Sequence, residues 1–204
     1  MMRIYAAVFA AVGWFAIIGQ YFNAYLDVPG GIYNYVSFFT ILSNILVATT
    51  LTSVALAPES GFARLLTRPA VATATALYIT VTGLVYYFLL AALYDLHGWT
   101  KHFDHMLHYV VPPAYVLFWA IWIRKGTLSL ANVPAMLIAP LLYGVYTLLR
   151  GPIANWYPYP FIDAAKLGYP RTFLNIGEFI VFFALMASIY VLADHLIARL
   201  KRAS

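Results

Sequence analysis

The feature that most limits this chain is its succession of apolar runs of bilayer length, separated by short polar connections. A hydrocarbon core takes roughly 20 mostly apolar residues as helix. On that rule six spans are predicted, at about 4–22, 33–57, 69–93, 105–123, 130–149 and 172–197. Lipid offers no partner for backbone N–H and C=O groups, so each span is read as a helix. Charged residues make up only 9% of the chain, against roughly 25% in a soluble domain. The predicted class is an all-α polytopic membrane protein, one six-helix transmembrane domain over residues 1–204.

The remaining composition narrows the chemistry. Cysteine is absent, which excludes a disulfide framework, a thiol nucleophile and a thiolate metal site. The formal net charge of +5 does not point to nucleic acid, because the basic residues lie in the connections, where they set topology. The first run follows Met1-Met2-Arg3. It is longer than the ~7–15 residues of a signal-peptide core and lacks a clear small-x-small cleavage site, so it reads as a retained first span. Arg3, Arg64, Arg68, Arg124, Lys125, Arg199, Lys201 and Arg202 fall on one side of the predicted membrane, and Lys101, Arg150, Lys166 and Arg171 on the other. Eight against four places both termini in the cytoplasm. Asp194 and His195, beside Arg199, read as interfacial.

With that orientation the polar residues line up in depth. Ser37, Thr40 and Asn44 come early in span two, His105 and His108 early in span four, Asn175 and Glu178 early in span six. Thr82 and Tyr86 come late in span three, and Tyr143, Tyr146, Thr147 and Arg150 late in span five. At ~1.5 Å per residue all lie within roughly 10 Å of the outer boundary. Gln20 of span one joins them. Spacings of three and four put Ser37, Thr40 and Asn44 on one helix face, and His105, His108, Tyr109 and Pro112 on another. The other halves of the spans are Leu, Ala, Val and Phe. The expectation is a polar cavity in the outer half, closed beneath by apolar packing. The connection over 151–170 carries Trp156, Tyr157, Tyr159 and Asp163 among several prolines, which stiffen it. It reads as a lid over the cavity or as an aromatic anchor at the interface.

Three constellations could do chemistry there. Thr40 and His108 could form a hydroxyl nucleophile and its base, since burial keeps an imidazole neutral and able to accept a proton. The plain alternative is a threonine bonded to its own helix and a packing histidine. His105 and His108 with Asp104 and Glu178, and with His97 and His102 nearby, could ligate zinc or iron, although no longer ligand motif is present. Glu178 in span six needs a partner such as Arg150 or Arg171, and reads as a buried ion pair or as a group orienting His108. Asn44 and Asn175 could donate to an oxyanion or tie helices together. A transporter would show paired broken helices near the midplane. Pro112-Pro113 and Pro140 offer kinks but no such pair.

Four segments carry a family resemblance: Phe38-Phe39-Thr40-Ile41-Leu42-Ser43-Asn44, Thr82-Gly83-Leu84-Val85-Tyr86, Leu107-His108-Tyr109-Val110-Val111-Pro112, and Trp156-Tyr157-Pro158-Tyr159-Pro160-Phe161-Ile162-Asp163. Together, and in this order, they resemble the bacterial Pr6Pr membrane proteins. That group is similar to the eukaryotic androgen-induced-gene and androgen-dependent TFPI-regulating proteins, intramembrane threonine hydrolases that cleave fatty acid esters of hydroxy fatty acids. The resemblance implies Thr40 as nucleophile and His108 as base, a mechanism without metal or other cofactor, and a place in the bacterial cytoplasmic membrane. The expected activity is hydrolysis of a lipid ester. Asn44, Asn175, Arg150 and Glu178 are then candidates to stabilise the oxyanion or orient the base. Ser37, Thr82, Tyr86, His105, Tyr109, Tyr143 and Tyr146 would line the pocket. The expected partners are a fatty acyl ester and membrane lipids. The alternative is a non-catalytic protein that binds or transports lipid through the same cavity.

Overall fold

The computed structural model describes residues 1–203. Among them every regular element is helical: α1 (Met2–Ala24), α2 (Gly31–Tyr35), α3 (Phe39–Leu56), α4 (Gly61–Leu66), α5 (Pro69–Val85), α6 (Gly98–His105), α7 (Val111–Trp122), α8 (Val133–Ala154), α9 (Ala164–Leu167) and α10 (Tyr169–Ala203). One π-helical turn, Tyr86–Leu90, extends α5, and another, Met106–Val110, joins α6 to α7. Five helical segments are long and apolar enough to cross a membrane: Met2–Ala24, Phe39–Leu56, Pro69–Leu93, Leu130–Ala154 and Tyr169–Ala203. Their large exposed side chains, among them Phe15, Ile18, Leu142, Leu149, Leu185 and Leu192, suit a hydrocarbon surround.

Two predicted spans differ in detail. The second does not run unbroken from residue 33. The short α2 ends at Tyr35, and Phe38 is extended (φ −75°, ψ 131°) before α3 begins. The break is anchored by the Tyr35 hydroxyl, which donates to Ile17 O at 2.6 Å. The fourth is a composite of α6, a π turn and α7, and is not among the five long apolar helices. Its imidazoles and its Pro112-Pro113 pair interrupt both the hydropathy and the hydrogen-bond ladder.

The chain forms two compact units. One comprises Met1–Leu128 with the segment from Asp194 onward, and the other Ser129–Ala193. In the first, side-chain bonds tie the long helices to one another. Arg3 Nε donates to Ala55 O at 3.0 Å and Trp14 Nε1 to Thr52 Oγ1 at 3.0 Å, which ties α1 to α3. Trp119 Nε1 donates to Thr73 Oγ1 at 2.7 Å, which ties α7 to α5. Tyr5 donates to Ala114 O at 2.8 Å, which ties α1 to α7. Ala16, Ile17, Tyr35, Ile41, Ala48 and Leu107 form a buried cluster between α1, α3 and the π turn.

Asp194, read above as interfacial, is held inside the protein. It is fully buried, and its Oδ2 accepts from the backbone N–H groups of Gly126, Thr127 and Leu128 at 2.8, 3.0 and 3.2 Å. A carboxylate holding three converging amides is strongly bound, because each is a charge-assisted bond away from water. Gly126 has φ +77°, and a Cβ there would lie 2.9 Å from Ala198 Cβ, so glycine is required by both backbone and space. His195 Nε2 meets Leu128 O at 2.7 Å, and Lys201 donates to Ala120 O and Ile121 O. Lys125 stacks on the Trp119 ring at 3.7 Å. Burial lowers its ammonium to about 8, a shift partly opposed by Asp194.

In the second unit α8 keeps Pro140 and Pro152 inside the helix, and the αL residue Asn155 ends it. The first four residues of the expected irregular connection over 151–170 therefore continue the helix. Beyond them a 3₁₀ turn covers Pro160–Ile162, and Asp163 caps α9 by accepting from Ala165 N and Lys166 N. Thirty-five residues of α10 span about 52 Å, well past a ~30 Å hydrocarbon core.

Candidate active site

The site is assembled where α3 begins and where α5 and α6 pass into π turns. Thr40 is the second residue of α3, and His108 lies in the π turn Met106–Val110; both are buried. Thr40 Oγ1 stands 3.4 Å from His108 Nε2, at the long end of hydrogen-bonding range. His108 Nδ1 faces two oxygens of Asp104, the main-chain carbonyl at 2.9 Å and carboxylate Oδ1 at 3.3 Å. A ring nitrogen between two acceptors carries the proton. The lone pair is then on Nε2, directed at Thr40. Tyr86, the first residue of the other π turn, lies on the imidazole with centroids 3.7 Å apart and planes 14° apart.

The π turn around His108 has a cause in the sequence. Val111 N donates to Met106 O, five residues back, so Leu107 O loses its i+4 donor. The i+5 position is Pro112, which has no N–H. Asn44 fills the vacancy: its Nδ2 donates to Leu107 O at 3.2 Å and to Thr40 O at 2.8 Å. One amide thus spans the two strips of backbone that carry Thr40 and His108. Gly83 admits the turn from the other side, since a Cβ there would sit 3.1 Å from His108 O.

These contacts revise several expected roles. Asn44 has both amide hydrogens committed to carbonyls, so it orients the pair and has none left for an oxyanion. Thr82 Oγ1 is 2.9 Å from Ser43 Oγ, which donates to Thr40 O at 3.1 Å, so Thr82 acts through Ser43 on the first turn of α3. Ser37 Oγ donates to Tyr33 O at 2.6 Å, within α2 and the break after it. Tyr86 touches the imidazole, but His105 and Tyr109 are exposed and pair with each other at 5.3 Å. The stripe predicted through His105 and His108 assumed α-helical winding across a segment that winds as π. It is Asp104, four residues before His108, that shares its face.

The remaining candidates belong to the second unit. Asn175 is buried, and its Nδ2 donates to Phe161 O at 2.7 Å, which pins the connection before α9 to α10. Arg150 lies over the Trp156 ring at 5.3 Å. Tyr143 and Tyr146 pair at 6.4 Å on α8, and Tyr146 is exposed. Tyr159 stacks on Phe161 at 5.1 Å, Tyr157 is half-buried, and Asp163 is taken up by the α9 cap and by Lys166 at 3.5 Å. Glu178 is exposed on α10, which corrects the buried carboxylate expected there. The buried stripe of α10 follows Asn175, Phe183 and Ala187, and Glu178 falls beside it. Among the described residues no three His, Asp or Glu side chains come together as a metal-binding group. The residue that sequence reasoning underused is Asp104, weighed there only as a metal ligand. Its spacing of four from His108 was the available signal.

No family model, no curated protein and no solved structure matches this chain.

Proposed function

We propose that this protein is an intramembrane lipid esterase in which Thr40 is the nucleophile and His108 its general base. The observation that carries the reading is the buried Thr40–His108 contact of 3.4 Å, with Nδ1 of the same ring already engaged by Asp104. A base must reach the proton it removes and must hold its lone pair toward it. The four segments that resemble the Pr6Pr proteins and their threonine-hydrolase relatives point to the same two residues. In the proposed reaction His108 Nε2 takes the Thr40 proton while Oγ1 bonds to the ester carbonyl carbon. The tetrahedral intermediate collapses, the bond to the alcohol oxygen breaks, and His108 returns the proton to that oxygen. Water, deprotonated by the same imidazole, then splits the acyl-threonine to release a fatty acid and free Thr40. Thr40 lies at the N-terminal, partially positive end of α3, which favours negative charge on the reacting carbonyl oxygen.

In the membrane the composite run Gly98–Trp122 is proposed as a sixth span. Its 25 residues reach about 37 Å, enough for a ~30 Å core. Both termini are proposed to face the cytoplasm on the eight-to-four distribution of Lys and Arg. The Thr40–His108 end of the first unit then lies in the outer leaflet, where a polar cavity would receive the ester.

A second reading, lipid binding without catalysis, draws on an open apolar cleft of about 370 Å³ lined by Phe15, Gly19, Phe22, Asn23, Trp99 and Phe103. Purified protein with a chromogenic medium-chain ester separates the two. The esterase reading expects Thr40→Ala and His108→Ala each to lower turnover by about 100-fold or more. It also expects a fluorophosphonate probe to label the wild type and not Thr40→Ala. Wild-type rates in both variants would remove this mechanism, and a wild type that does not hydrolyse the ester would leave the binder.

A further inference from the structure

We infer that Asp104 is a positioning residue for His108: its carboxylate holds the imidazole so that Nε2 faces Thr40 and balances the charge the ring acquires. The inference rests on the Thr40–His108 reading above. Asp104 is buried, 7% exposed, in a segment surrounded by apolar helices. A carboxylate in such a place needs a partner, and Asp104 has the Nδ1–H of His108, with Oδ1 3.3 Å from Nδ1. The same Nδ1–H also reaches the Asp104 carbonyl at 2.9 Å. The two oxygens have separable tasks. The carbonyl, a neutral acceptor, fixes which nitrogen carries the proton. The carboxylate adds a negative charge that favours the imidazolium formed when His108 takes the Thr40 proton. That proton moves from Oγ1 to Nε2 and then to the departing alcohol oxygen, and it is not passed to Asp104.

The surroundings keep the carboxylate on this task. The phenols that interact with it electrostatically are those of Tyr86, Tyr94 and Tyr109. His105, next in sequence, turns instead to Tyr109. From α3 the group meeting the ring is the Thr40 hydroxyl. Tyr86 closes one face of the imidazole at 3.7 Å, so the ring cannot swing away from the carboxylate without unstacking.

The test titrates His108 by NMR in the full-length, histidine-¹⁵N-labelled protein in micelles, with His108→Ala for assignment. The inference expects a Nδ1–H tautomer in the wild type. It expects the imidazolium pKa to fall by about one unit or more in Asp104→Asn and to recover in Asp104→Glu. On the chromogenic ester, kcat should fall at least about tenfold in Asp104→Asn with KM unchanged, and Asp104→Glu should restore part of it. A merely structural role would lower stability and leave the His108 titration where it was. Superimposable His108 titrations in wild type and Asp104→Asn overturn the inference, and Asp104→Glu gives the same comparison if the amide variant folds poorly. Thr40→Ala keeps the two readings apart. Full ester hydrolysis in that variant removes the threonine nucleophile, while the His108 titration still decides the role of Asp104.

Discussion

Asn44 shows how much one side chain can settle. It is fully buried, and its two amide hydrogens reach the carbonyl of Thr40 in its own helix and that of Leu107, 63 residues further along the chain. Helix α3 alone would have given Asn44 a bond to its own preceding turn. The second bond exists because Pro112 leaves Leu107 O without a main-chain donor. Replacing Asn44 with Leu leaves that buried carbonyl unpaired, at about 1–3 kcal/mol. The expected outcome is a clear drop in thermal midpoint in micelles, with ester hydrolysis falling as well because Thr40 and His108 are no longer tied to a common amide. The midpoint is read by tryptophan fluorescence, and a variant as stable as wild type would separate Asn44 from the site. The spacing of Asn44 from Thr40 was visible in the sequence as a helical stripe. Its bond to Leu107 was not, because it depends on a lateral contact between two helices.

At the scale of elements, the two π turns are what bring chemistry to one place. Tyr86 begins one and His108 sits in the other, and their rings stack. Pro112-Pro113 read from sequence as a kink. The structure resolves the kink into a π turn that removes His105 from the face of His108 and puts Asp104 there. Pro112→Ala returns an N–H to the i+5 partner of Leu107 O and the i+4 partner of His108 O. We expect the turn to relax toward α-helix, with thermal stability held or raised and fluorophosphonate labelling of Thr40 lowered at least tenfold. Unchanged labelling in a stable variant would show that the π turn is dispensable for the site. A second element-scale feature is the latch at the far end of the first unit, where Asp194 takes three amides of the connection after α7. Asp194→Ala leaves those N–H groups unpaired and should lower stability by about 2–4 kcal/mol, measured by chemical unfolding. The sequence placed Asp194 among basic interfacial residues, and that neighbourhood concealed its burial.

For the whole molecule the open quantity is how the helices are threaded through the bilayer. The chain has no cysteine, so single cysteines can report topology without a background. Under the proposed six-span arrangement, Asp27→Cys, Lys101→Cys and Lys166→Cys react with a membrane-impermeant maleimide on intact cells. Glu59→Cys, Arg124→Cys and Arg202→Cys react only after permeabilisation. Labelling of position 101 and position 124 from the same side would remove Gly98–Trp122 as a crossing and return the count to five.

What the sequence decided by itself is what depends on local partition. Apolar runs of bilayer length dictate helices and where they lie, because transfer free energy sums residue by residue and lipid cannot satisfy an open backbone. It also placed Thr40 and His108 at one depth, since rise per residue is constant along a helix. What only the tertiary structure decided is pairing: that Thr40 Oγ1 lies 3.4 Å from His108 Nε2, that Asp104 and not His105 serves the imidazole, that Glu178 is exposed and Asp194 buried. Hydrogen bonds and ion pairs are short-ranged and directional. They are therefore settled by the rotation of each helix about its own axis, and here that rotation is set by two π turns and by contacts between residues far apart in the chain.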